Sequence, residues 1–335
     1  MCPGFALAFC PRLIAYCEHV FNKNGLTQMR IVVMGTGGVG GYFGARLAQA
    51  GFDVSFIARG RQLAALRASG LRVLSPLGDM ALSQVRATDD PAELGTADLV
   101  LFGVKLWDTA QAAQQILPLI GKDTAVISFQ NGVVKDEVLE QVLGPGHVVG
   151  GVCYIAASIA EPGVIRHAGT MQKLVFGEYD GRETERVRRF REACQAAGID
   201  VESRGHIERT IWEKFVFLVG LSGMTTLARS PIGPIREHER SRKFLHDVMN
   251  EVVQVARAQG VDLPADYARD RLAFADTVPA AMTSSMHGDL DRGNRLEVDW
   301  LSGDVVRRGH ALGIATPCNR AIADVLALYS GGRAS

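Results

Sequence analysis

RIVVMGTGGVGGYFGARLAQAGFDVSFIARG, residues 30–60, decides the fold. It opens on a β-branched run, Ile31 to Met34, turns through Gly35, Gly37 and Gly40, continues as an alanine-rich helical stretch, and closes on a second apolar run, Val54 to Ile57. In a Gly-x-Gly-x-x-Gly turn between strand and helix, the first glycine permits the tight turn and the second lets the backbone approach a pyrophosphate. The third lets helix and strand pack closely. The helix start, with Thr36, Gly37, Gly38 and Val39, supplies amide groups and a positive dipole end to the phosphates. The stretch therefore reads as a dinucleotide-binding unit.

Its end departs from the common pattern. Arg59 stands 19 residues after Gly40, where a carboxylate would bind the ribose hydroxyls of NAD. A guanidinium there, with Arg61 two residues on, suits a 2′-phosphate, so the expected cofactor is NADPH. The alternative is a pair of solvated surface arginines.

Outward from this unit, short apolar runs at Leu99 to Val104 and Ala125 to Phe129 alternate with helical stretches, the mark of a parallel sheet. Residues 148–177 read as further strands with a hairpin break at Glu161-Pro162-Gly163, followed by a helix ending near Gly198. After Gly205 only helical patterns remain: Glu208 to Arg229, Glu237 to Gln259, Ser285 to Ala311 and Pro317 to Leu328, broken by SPIGPI and GVDLP. The predicted fold is α/β: a Rossmann-type doubly wound sheet domain over 29–205, then an all-α domain over 206–330. Residues 1–28 hold half of the cysteines and lack the basic start and long apolar run of a secretion signal. They are expected to be a disordered appendage, left by a translation start upstream of Met29.

Composition sets outer bounds. The chain has 335 residues, 47% of them hydrophobic, which is enough for a large core and suggests two domains. Lys plus Arg and Asp plus Glu both number 36, so no net field attracts nucleic acid or an anionic membrane. The six cysteines form no CxxC pair and no ligand-like cluster with histidine; neither a metal site nor a disulfide framework is expected, and a reducing cytoplasm fits.

Chemistry-bearing residues gather at two places. Lys105 and Asn131 follow two predicted buried strands, at the carboxyl edge where open α/β sheets place ligands, and could orient ribose and substrate. Taken singly, each could equally be an exposed loop residue. Lys214 sits between Trp212 and Phe215 on an apolar helix, where burial lowers a lysine pKa toward the range of a general acid; the alternative is a lysine snorkelling from the core. Ser284 and Ser285 stand at a helix start, able to donate to a substrate carboxylate, with Glu297 about three turns further along. In isolation Ser285 reads rather as an N-cap.

With VGGYFGARLAQAG, ARG at Arg59, VK at Lys105, QNG at Asn131, IWEK at Lys214, and SSM followed by LEVDWLSG and GIATPCN, the chain resembles the ketopantoate reductase family from Met29 to about Leu328. The resemblance implies reduction of 2-dehydropantoate to pantoate with NADPH, on the route to pantothenate. It makes Lys214 the acid that protonates the ketone oxygen and gives the substrate carboxylate to Ser285. Asn131 and Lys105 are placed beside the nicotinamide ribose and substrate, and Glu297 at the cofactor ribose. One departure stands out. Where the family commonly carries two asparagines, four and eight residues after the lysine, this chain has Leu218 and Ser222. A pocket lined by them suits a less polar 2-oxo acid, so a paralogous reductase is one alternative and a non-catalytic NADP(H)-binding sensor another. The expected partner is a small 2-oxo acid, not nucleic acid or a membrane; a homodimer is compatible with the sequence.

Overall fold

The computed structural model describes residues 29–333. The expectation for 1–28 lies outside the described residues. Strand β1 (Arg30–Met34) enters the glycine turn, helix α1 (Gly38–Gln49) follows, and β2 (Asp53–Ile57) pairs with β1 in parallel. Next come α2 (Gly60–Ser69), the antiparallel pair β3 (Leu71–Leu74) and β4 (Met80–Leu82), and β5 (Arg86–Thr88). The chain then crosses to β6 (Leu99–Phe102), α3 (Thr109–Gln115), β7 (Ala125–Ser128) and α4 (Val134–Leu143). A long hairpin, β8 (Val148–Glu161) and β9 (Val164–Gly177), precedes α5 (Glu185–Ala196) and β10 (Asp200–Ser203).

The ten strands form one sheet ordered β4-β3-β9-β8-β7-β6-β1-β2-β5, with β10 on β9. Its six-strand stretch from β8 to β5 is parallel throughout and doubly wound. The whole sheet is mixed, because β9 turns back antiparallel on β8 and carries β3 and β10 beyond it. Strand β1 shows why helices cover both faces: Ile31 and Val33 enter one core and Val32 and Met34 the other, following the two-residue alternation of a strand. The order reverses between β1 and β6, which creates a crevice at their carboxyl ends.

Beyond the sheet, helices α6 (Ile207–Ala228), α7 (Ile232–Glu237), α8 (Glu239–Ala258), α9 (Tyr267–Thr277), α10 (Ser285–Arg292), α11 (Ser302–Leu312) and α12 (Pro317–Leu326) make the helical part. The expected break at SPIGPI, residues 230–235, is shorter than expected: α7 begins within it at Ile232 and runs on to Glu237. Pro234 is its third residue, where a backbone N–H has no intrahelical acceptor to lose. The single helix expected over 285–311 is two, because Gly293 adopts φ +72° and ends α10; a loop and a short 3-10 turn, Val298–Trp300, separate it from α11. Helix α9 was not anticipated. α6 is apolar and long enough to cross a membrane, yet 67% of its most apolar window is buried inside the protein. It runs through the helical core, where Ile211 and Phe215 join Val133, directly before α4, and Val152 and Val175 of the sheet in one apolar cluster.

Candidate active site at the domain junction

Gly35 has φ +97°, a left-handed geometry that favours glycine, and a Cβ there would meet Val104 at 2.9 Å. A Cβ on Gly40 would run into the Gly35 carbonyl oxygen and one on Gly38 into that of Ala157, whereas one on Gly37 meets nothing within 4 Å. The turn is thus packed tightly behind and open in front, as a cradle for a pyrophosphate requires. Thr36 pins it by donating its hydroxyl to the Ile57 carbonyl at 3.1 Å, and Val39 packs at the margin of the core behind. Arg59, at the end of β2, is exposed beside this turn.

Across the crevice, α6 brings Lys214 to the sheet. Its Nζ donates to Asn131 Oδ1 at 3.0 Å and to the Cys153 carbonyl at 2.7 Å, and lies 5.6 Å from the Tyr154 ring centroid. Asn131 follows β7 and Cys153 lies on β8, so three separate elements define one amine position. An ammonium has three N–H donors; two are committed here, leaving one for a substrate oxygen. Burial pushes the Lys214 pKa below the ordinary lysine value, and the nearby Lys135 ammonium adds to this. Sequence reasoning missed Lys135, which is wholly buried and paired with Asp136 at 2.6 Å.

A second polar cluster ties the loop after β6 to the helical part. Lys105 Nζ reaches Asp289 Oδ2 at 2.9 Å and Glu297 Oε2 at 3.5 Å, while the Leu106 N–H donates to Glu297 Oε1 at 3.0 Å. Burial lowers the Lys105 pKa, but the Glu297 and Asp289 carboxylates outweigh it and the net shift is upward. Asp289 also accepts from Arg292 at 2.8 Å and Asn294 at 3.0 Å. Glu297 lies in the loop after α10, not three turns along a continuing helix, and that loop swings it to Lys105. Asp289 was missed because nothing near it in the chain announces a partner 184 residues away.

Leu218 stands one turn beyond Lys214 on the same face of α6, half-buried; Ser222, a further turn on, is buried, and its hydroxyl has no hydrogen-bond partner among the described residues. The N-cap of α10 is Ser284, not Ser285: Ser284 Oγ accepts from the His287 N–H at 3.1 Å and lies 3.1 Å from Thr225 Oγ1 of α6. Ser285 is the first helical residue and is exposed, its hydroxyl released from capping. A cavity of about 1040 Å³ lies elsewhere, at the amino-terminal edge of β1, β6 and β7, lined by Asp98, Ala125, Asp136, Tyr179 and Trp212 among others. None of the predicted cofactor or substrate residues lines it.

Comparison with known proteins shows the family. The pattern described as Ketopantoate reductase PanE/ApbA matches residues 31–181, and its C-terminal counterpart matches 206–330. The chain belongs to the ketopantoate reductase family. This reductase is similar to the 2-dehydropantoate 2-reductase of Halobacterium salinarum, at 33% identity over 90% of this chain and 98% of the relative. A PanE/ApbA family ketopantoate reductase from Ralstonia eutropha JMP134 superposes with a TM-score of 0.82 at 37% identity, covering 90% of this chain and 98% of that one. A D-mandelate dehydrogenase solved with NADH and anilino(oxo)acetate shares the fold at a TM-score of 0.82 and 20% identity, with 90% and 98% of the two chains covered. The chain is accordingly an oxidoreductase, and the fold by itself does not name its substrate.

Proposed function

We propose that this reductase converts a small 2-oxo acid to the 2-hydroxy acid with NADPH, 2-dehydropantoate being the first candidate. The observation that carries the reading is Lys214, a half-buried amine held by Asn131 and the Cys153 carbonyl with one donor left over. The residues present fit the cofactor: the open front of Gly37, the helix start after it and the exposed Arg59 match a pyrophosphate and a 2′-phosphate. When bound, the dihydronicotinamide supplies the hydride. Lys214 stabilises the negative charge that develops on the carbonyl oxygen and delivers a proton to it. Asn131 orients the amine, Lys105 and Glu297 take the nicotinamide ribose, and Ser285 takes the substrate carboxylate. In this reading residues 29–205 bind the cofactor and 206–330 complete the substrate site.

A second reading, reduction of a less polar 2-oxo acid, is favoured by one feature: the half-buried Leu218 offers no hydrogen bond beside Lys214. NADPH oxidation should be followed with 2-dehydropantoate and 2-oxoisovalerate, in the parent and in Leu218→Asn/Ser222→Asn. The expected result is turnover of both acids by the parent. The double variant should gain about 5- to 150-fold preference for 2-dehydropantoate, the worth of satisfying one buried polar group. No turnover of either acid would overturn both readings, and an unchanged preference the second alone.

A further inference from the structure

Arg59 is not alone at the end of β2. Its guanidinium donates to Asp108 Oδ2 at 3.0 Å, with Arg59 60% exposed and Asp108 28% exposed. Asp108 closes the short 3-10 turn Leu106–Asp108 after β6, directly before α3, and its backbone is already helical there, with φ −94° and ψ −2°. It makes no side-chain cap; the carboxylate turns to Arg59 instead. An ion pair this exposed adds little to stability, so folding gives weak reason for that choice.

The two groups match the two chemistries by which dinucleotide sites tell their cofactors apart: a carboxylate accepts from ribose hydroxyls, and an arginine pairs with a 2′-phosphate. We propose that Asp108 supplies the ribose-binding carboxylate that the end of β2 lacks, so that this site takes NADH as well as NADPH and the Arg59–Asp108 pair sets the ratio. The inference rests on the nicotinamide reading above. With NADPH, the 2′-phosphate draws Arg59 away from Asp108 and stands near a like charge. With NADH, Asp108 accepts from the ribose hydroxyl while Arg59 still holds it in place. The carboxylate therefore weakens binding of the phosphorylated cofactor and strengthens binding of the other.

Equilibrium binding tests this without turnover. Dissociation constants for NADPH and NADH, from nicotinamide fluorescence, should be measured for the parent, Asp108→Asn, Asp108→Ser and Arg59→Ala, with adenosine 2′,5′-bisphosphate and AMP as competing probes. Both Asp108 variants should tighten NADPH and loosen NADH, each by about 3- to 10-fold, the worth of one hydrogen bond, and the two fragments should follow the same order. Arg59→Ala should loosen NADPH and the bisphosphate far more than NADH and AMP. Unchanged constants for both cofactors in both Asp108 variants would overturn the proposal while leaving the NADPH reading intact. A parent that binds neither cofactor would overturn both.

Discussion

Lys214, the proposed general acid, is held in place by its surroundings. Its helix is apolar on nearly every face, so the amine reaches the junction partly dehydrated, and two acceptors, Asn131 after β7 and the Cys153 carbonyl of β8, fix its direction. Dehydration disfavours the charged form and brings the proton closer to release near neutrality. Lys214→Ala should lower kcat by about 10²- to 10⁴-fold, as expected for loss of a general acid. NADPH affinity should stay within about threefold, below the worth of one hydrogen bond, because no cofactor contact is assigned to the amine. Stopped-flow turnover beside a fluorescence titration separates these quantities; lost affinity with retained kcat would make the lysine a cofactor ligand. The pH profile supplies a second check. A general acid acts in its protonated form, so kcat/KM should fall as pH rises through the Lys214 pKa. That fall should lie below the ordinary lysine value of about 10.4 and be absent from Lys214→Ala.

At the scale of the element, the strand–turn–helix unit makes two glycines of one motif separable by experiment. Gly40 is needed for packing, since any Cβ there meets the Gly35 backbone; Gly37 faces open space and is needed only where a ligand approaches. Gly40→Ala should lower the unfolding free energy by about 1–3 kcal/mol, the usual cost of overpacking. Gly37→Ala should cost about 1 kcal/mol or less, through its N-cap position, while weakening NADPH binding at least tenfold. Urea unfolding and cofactor titration on both variants test the contrast, and equal binding by Gly37→Ala and the parent would remove the motif from phosphate recognition. This unit was legible in the sequence because its meaning is local: alternation, glycine spacing and helix onset all lie within residues 30–60. The place of Lys214 on an apolar helix was legible for the same reason. Asp108 was not, because its carboxylate acquires meaning only from Arg59, 49 residues earlier in the chain. The identity of the α10 cap turned on one residue of helix phase, which neighbouring serines cannot decide. The run from 285 to 311 concealed a loop because Gly293 is the only strong stop signal between two helical patterns.

For the whole molecule, two unlike contacts hold sheet and helices together. One is apolar: Val133, Val152 and Val175 lie in the same cluster as Ile211 and Phe215, so the core of the helical part continues onto the sheet part, which has two further clusters of its own. Unfolding should therefore be one transition by circular dichroism and by tryptophan fluorescence, and two separated transitions would show that the shared cluster does not couple the parts. The other contact is the clasp of Lys105 on Asp289 and Glu297, whose energy water moderates, since the Lys105 side chain is 43% exposed. Lys105→Met should lower the unfolding free energy by about 1 kcal/mol and keep the single transition, because the apolar cluster remains. The sign of the pH dependence follows from both partners. Lys105 has a raised pKa, so its contribution is complete below the unfolded value of about 10.4 and is lost only as pH rises through the higher folded value. Asp289 has a lowered pKa: burial opposes ionisation, but Asn294, Lys105 and Arg292 outweigh it. Its contribution is complete above about 3.9 and is lost as pH falls through the lower folded value. The stability difference between parent and Lys105→Met should therefore be constant from about pH 5 to pH 9, where neither group changes charge. Urea titrations across that range test it; a difference that drifts within the range would mean that another titrating group carries the clasp.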